Sequence, residues 1–160
     1  MKIILSIFFF FLLSNVSAQQ KSNKFYGIVS VNAGIPTGLF SSVYSFTAGA
    51  NAGVSYSFSQ QTSFTGTVGF LQFFRKGGGE GISFVPVLVG AQYHFIPKVF
   101  ISLEGGVAIP TYSQGGILGC LIPAAGYQFN RKLSASLNYT GVAQYGLLVG
   151  GINVRVSCAF

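Results

Sequence analysis

The sequence predicts an all-β fold, an eight-stranded antiparallel up-and-down transmembrane β-barrel, and three observations predict it. The first is a repeated ending. Gly53–Phe58, Gly90–Phe95 and Ala124–Phe129 all close in Tyr-x-Phe, and Arg155–Phe160 keeps the Phe with Cys158 in the Tyr position. The closing Phe residues lie 37, 34 and 31 positions apart, room for two strands and their turns in each interval. Aromatics one residue apart on a strand share a face. Tyr56, Phe58, Tyr93, Phe95, Tyr127, Phe129 and Phe160 therefore form a belt at one end of every second strand, expected on the periplasmic side. Such belts sit at membrane–water interfaces. The second observation is that apolar residues fall on every second position rather than in blocks. The third is composition: 7% charged and 50% hydrophobic residues, 22 Gly and 17 Phe, with no helix-length apolar run after the first segment. Glycine and β-formers together disfavour helices and suit a curved sheet.

That first segment, residues 1–18, reads as an export signal outside the fold. Lys2 supplies the positive end, Ile3–Leu13 is an apolar run broken only by Ser6, and Val16-Ser17-Ala18 is a small-residue cleavage site. The run is too short to span a bilayer, which needs roughly 20 residues in a helix. No Cys follows the cleavage point, so a lipid-anchored product is not expected. The mature barrel domain is expected to run over 19–160, with no periplasmic domain after it.

The strands follow in order. Strand one is expected at about Phe25–Gly34. Strand two is the clearest, with Phe46, Ala48, Ala50, Ala52, Val54, Tyr56 and Phe58 toward lipid and Thr47, Gly49, Asn51, Gly53, Ser55 and Ser57 toward the lumen. Strand three is expected at about Thr62–Phe74. Strand four sets Val85, Val87, Val89, Ala91, Tyr93 and Phe95 against Pro86, Leu88, Gly90, Gln92 and His94. Strand five sets Val99, Ile101, Leu103 and Val107 against Phe100, Ser102, Glu104 and Gly106. Strand six, about Gly116–Phe129, puts Leu118 and Ile122 on its lumen face. Strand seven sets Leu133, Ala135, Leu137 and Tyr139 against Ser134, Ser136, Asn138 and Thr140. Strand eight, from Leu148 to Phe160, turns Val149, Gly151, Asn153, Arg155, Ser157 and Ala159 inward. Most reach the roughly 9–11 residues that a tilted transmembrane strand needs.

Short turns are expected at Ser59–Gln61, Ile96–Lys98 and Asn130–Lys132, on the periplasmic side of such a barrel. Longer connections are expected at Ile35–Ser45, Arg75–Gly81, Pro110–Gly115 and Gly141–Gly146. Pro86 and Pro123 fall inside strands, where each removes a ladder hydrogen bond, so a bulge or local break is expected at each. Cys120 and Cys158 fall on strands that are not neighbours, so two free, buried thiols are expected.

The chain resembles the small outer-membrane β-barrel domain family of Gram-negative bacteria, the porin-like relatives of the OmpA and OmpX transmembrane barrels. The stretches that carry the resemblance are Gly34–Ser41, Phe84–Gly90 and Leu103–Val107. It implies an integral outer-membrane location, with outer-membrane lipid, lipopolysaccharide and the barrel-assembly machinery as partners. It also implies that Phe160 is the terminal aromatic that this machinery recognises. Arg75 and Lys76 would then be candidates for contact with lipopolysaccharide phosphates, the alternative being an ordinary solvated turn.

Several chemistries are disfavoured. The formal charge of +7 arises mainly from missing acids, and the cations are scattered through predicted turns, so no nucleic-acid partner is expected. Gly77-Gly78-Gly79 has no strand–loop–helix context and reads as a hairpin tip, not a phosphate loop. No metal-ligand spacing occurs and no cofactor is expected. The carboxylates are Glu80 and Glu104, and His94 is the one imidazole. An Asp-containing triad is thus excluded, and no organised nucleophile accompanies His94 and Glu104. Glu104 and Arg155 both point inward at similar depth, and a lone charge in a narrow lumen is costly, so a lumen ion pair is expected. The reading is a non-enzymatic outer-membrane barrel with a structural or interaction role. The alternative is a narrow pore for small or hydrophobic solutes, and behind it a lipid A-modifying enzyme.

Overall fold

The computed structural model describes residues 25–111, 116–144 and 147–160, so the expected signal at 1–18 lies outside the described residues. Eight strands close into a barrel in chain order: β1 (Phe25–Thr37), β2 (Tyr44–Ser57), β3 (Thr62–Arg75), β4 (Ile82–Ile96), β5 (Val99–Pro110), β6 (Leu118–Gln128), β7 (Leu133–Gln144) and β8 (Leu147–Ala159). Every neighbouring pair is antiparallel, and β1 closes on β8 from Ile28↔Ala159 to Thr37↔Gly150. Phe160 extends that seam: its N–H and C=O each bond to Gly27 at 3.0 Å. The Phe160 ring packs over Gly27, where a Cβ would lie 2.6 Å from the ring and push it aside.

The alternation follows the expected faces. Val54, Val68, Val89, Leu103, Leu137 and Val154 are exposed on the outer wall, while Thr47, Asn51, Ser55, Glu104, Asn138, Asn153 and Arg155 are buried in the lumen. The charged side chains of the described residues, apart from Glu104 and Arg155, lie in turns or at strand ends. The outer wall is therefore apolar except toward the loop end, as a lipid-facing surface must be across its span. Gln72 and Ser83 face outward toward the loop end of the barrel, and the Ser83 hydroxyl donates to Gln72 Oε1.

The strands are longer than expected at the loop end. β1 continues to Thr37, and the expected connection at 35–45 contracts to a short turn and a four-residue helix, α1 (Phe40–Val43). Most of the expected loop at 141–146 is likewise strand, because β7 runs to Gln144 and β8 begins at Leu147. Ladder hydrogen bonds satisfy backbone that a loop would leave to solvent. The connection after β3 is a loop as expected, with Gly77, Gly78 and Gly79 at φ of 74°, 82° and 107°. The connection after β5 falls mostly outside the described residues.

Both strand prolines break a ladder on one side. β3–β4 pairing lapses between Val68↔Val87 and Leu71↔Phe84, across Pro86. β6–β7 pairing lapses between Leu121↔Gly141 and Ala124↔Asn138, across Pro123. On their other sides, Pro86↔Ala108 and Leu103↔Pro123 lie within continuous ladders. Neither break shifts the register. The bulges lie instead at Tyr44/Phe46 and His94/Ile96. Cys120 and Cys158 are free thiols, but only Cys120 is buried; Cys158 is exposed on the outer face. The expectation of two buried thiols fails there because Cys158 shares the outward parity of Val154 and Val156.

Candidate functional site

The lumen is divided by side-chain size into three layers. At the loop end, Leu71, Phe73, Phe84, Leu88, Ala108, Cys120, Ile122 and Val142 form a buried apolar cluster. Phe40 of α1 and Tyr44 cap it. The bulge at Tyr44 turns that ring inward, 5.3 Å from Phe40 and 5.9 Å from Phe73, and Phe40 meets Phe73 at 5.2 Å. An eight-stranded barrel has an interior that side chains just fill, and here Phe and Leu fill it.

The middle layer is polar. Asn153 Nδ2 donates to Thr140 Oγ1 at 3.1 Å and to the Gly151 carbonyl at 3.1 Å, and Thr47 donates to Asn153 Oδ1. Thr47 and Asn153 flank Gly34 on β1, where any Cβ would strike Asn153. Below them, Arg155 Nη1 donates to Glu104 Oε1 at 2.8 Å and Oε2 at 2.9 Å. β5 and β8 are not neighbours, so this ion pair crosses the lumen. Glu104 lies across Gly90 of β4, where a Cβ would sit 2.8 Å from Glu104 Cγ. Both charged side chains are 9% exposed. In that setting each charge offsets the desolvation of the other.

The third layer, toward the short turns, is a cup of about 920 Å³. Small hydroxyl side chains are the most numerous group in its walls, among them Ser30, Ser55, Ser102, Ser136 and Ser157, with Arg131 and Lys132 near the mouth. Glu104 and Arg155 line it as well, so the ion pair is shared between the middle layer and the cup. His94 also lines the cup. Its Nε2 lies 2.9 Å from Gln128 Oε1 and 3.3 Å from Gln92 Nε2. His94 and Glu104 thus have different partners and do not form one relay.

The aromatic residues of the predicted belt all lie at the turn end. Phe58, Tyr93, Phe95, Tyr127, Phe129 and Phe160 are exposed there and Tyr56 is half-buried. The sequence reading missed two further members. Phe25 packs on Tyr56 with ring centroids 4.6 Å apart, and Phe64 packs on Phe58 at 6.2 Å. Their outward parity on β1 and β3 was the available signal. At the loop end, Arg75 and Lys76 are exposed, and Lys76 Nζ donates to the Ser41 carbonyl at 2.7 Å. The sequence reading also missed the cup and the apolar cluster as separate layers. The lumen face of β3 already carries the change, from Ser63, Thr65 and Thr67 to Leu71 and Phe73.

No family model and no curated protein matches the chain. It is similar to solved transmembrane barrels. A de novo designed transmembrane β-barrel superposes with TM-score 0.57 at 15% identity, covering 89% of this chain and 100% of the design. A second design, solved by solution NMR, gives TM-score 0.54 at 14% identity over 87% and 97%. The outer membrane protein Ail of Yersinia pestis, in a phospholipid bilayer nanodisc, gives TM-score 0.55 at 11% identity over 84% and 99%. The shared fold is an eight-stranded transmembrane β-barrel.

Proposed function

We propose that this protein is an integral outer-membrane barrel with a structural or interaction role, neither an open channel nor an enzyme. The observation that carries this reading is the double closure of the lumen. The buried apolar cluster fills the loop end, and the Glu104–Arg155 pair crosses the lumen beneath it. Filled side-chain layers leave little room for a hydrated ion. The separate partners of His94 and Glu104 support the non-enzymatic half of the reading.

In the proposed orientation the turn end faces the periplasm. The aromatic belt lies at the inner interface, while Arg75 and Lys76 lie beside lipopolysaccharide phosphates at the outer one. Phe160, in the closing seam, is the residue we assign to recognition by the barrel-assembly machinery. The test is planar-bilayer recording on the purified barrel, which should stay silent across a voltage ramp. Steady conductance from the unaltered protein would favour the narrow-pore reading instead. Mass spectra of lipid A from expressing cells should be unchanged, and a new acylation state would favour the enzyme.

A further inference from the structure

Arg155 has more donors than the protein uses. Glu104 takes both its contacts from Nη1, while Nε and Nη2 are buried with no acceptor among the described residues. Ser55 Oγ is also buried without a partner. Arg155 and Ser55 both line the turn-end cup. Leaving charged donors unsatisfied is costly, more so than for neutral groups. The Nε–Nη2 edge of a guanidinium matches the two oxygens of a carboxylate or phosphate.

We propose that the cup is a binding site for a small hydroxyl-rich anion, a sugar acid or sugar phosphate, whose oxyanion is anchored by the free edge of Arg155. The charge in the cup fits an anion. Its lining carries the side-chain cations Arg131, Lys132 and Arg155 against one side-chain carboxylate, that of Glu104, which Arg155 already neutralises. The walls fit the rest of the ligand. Serine and threonine hydroxyls both donate and accept, as a polyol requires. The volume of about 920 Å³ lies within the range of roughly 300–1,000 Å³ typical of ligand pockets. Nε and Nη2 are shut off from solvent, so binding requires the guanidinium to turn toward the cup while Nη1 keeps Glu104. The apolar cluster closes the other end, so the ligand enters and leaves through the turn end. A site of this shape captures a solute and does not pass it through.

The test uses the full barrel refolded into phospholipid nanodiscs, with NMR shifts followed during titration with glucuronate, glucose phosphate and glucose. Saturable shifts at the Arg155 side chain and at cup serines are expected with at least one of the two anions. The anion that binds distinguishes carboxylate from phosphate. Glucose should bind about tenfold more weakly or worse, the scale of a lost charge-assisted hydrogen bond. Arg131→Gln with Lys132→Gln, both exposed turn residues, should weaken anion binding without disturbing the barrel. Glu104→Gln with Arg155→Met should abolish it. Ser55→Leu, which puts an apolar side chain into the cup and leaves the ion pair intact, should do the same and covers the case in which the pair variant does not fold. No saturable shift with either anion, equal binding of glucose, or unchanged anion binding in a folded Arg155 or Ser55 variant would each overturn the proposal. Bilayer conductance reads the closure of the lumen independently, so the two conclusions fail separately.

Discussion

At the scale of single residues, the lumen pair is where the largest local energies meet. Glu104→Gln leaves Arg155 buried with no counter-charge, because Nη1 loses its carboxylate and Nε and Nη2 have no acceptor among the described residues to fall back on. Breaking a buried pair from one side costs about 3–5 kcal/mol. Glu104→Gln with Arg155→Met strands neither charge and should recover most of that loss. A double-mutant cycle on urea unfolding in lipid reads the coupling directly, and additive effects would contradict the contact. A second residue-scale prediction concerns the seam. The Phe160 ring covers Gly27, so Phe160→Ala should lower the heat-modifiable barrel recovered from membranes. Unchanged recovery would remove Phe160 from any part in assembly. The inward parity and equal depth of Glu104 and Arg155 were legible in the sequence, since both follow from counting along alternating strands. The engagement of Glu104 by a single nitrogen of Arg155 was not, because it depends on the rotamer the guanidinium adopts across the lumen.

At the scale of elements, strand parity governs what each substitution meets. Ala50 is exposed on the outer wall of β2 and Asn51 beside it is buried in the lumen. An Arg facing lipid near the bilayer midplane costs roughly 2–4 kcal/mol. Ala50→Arg should therefore destabilise refolding in bilayers far more than Asn51→Ser, and equal effects would mean a register error of one residue. The proline breaks allow another test. Pro123→Ala supplies an N–H on the side of β6 that faces β7, where pairing lapses. Hydrogen exchange of β7 amides around Tyr139 should slow in that variant, and unaltered exchange would show that the lapse has another cause. The strand core positions were readable because a period of two survives any error in strand length. The loop-end boundaries were not. At Ile35–Thr37 and Gly141–Gln144, glycine, proline and polar residues read locally as turn, and only the ladder with a distant strand keeps them extended.

At the scale of the whole molecule, the lumen contains two barriers in series, and series barriers make a distinctive prediction. The ion pair lies between the cup and the apolar cluster, so neutralising the pair removes charge from the path but leaves Phe73 and Phe84 buried across it. Glu104→Gln with Arg155→Met should therefore remain non-conducting. Phe73→Ala opens the apolar layer at a cost of about 3–5 kcal/mol for a buried aromatic, yet leaves the crossed pair in place, and it should also remain closed or nearly so. Only the combination of all three substitutions removes both barriers, and it should conduct in planar bilayers after folding is verified by heat-modifiability. If neutralising the pair alone opens a steady current, the apolar cluster is not a barrier and the pair is a gate, which would move the protein into the class of narrow pores. If the triple variant folds and stays silent, the polar network around Asn153 must itself seal the lumen, and Thr47→Ala beside Asn153 becomes the substitution that opens it. Each outcome assigns the seal to one layer, because the layers are stacked along one axis and an ion must cross them in turn.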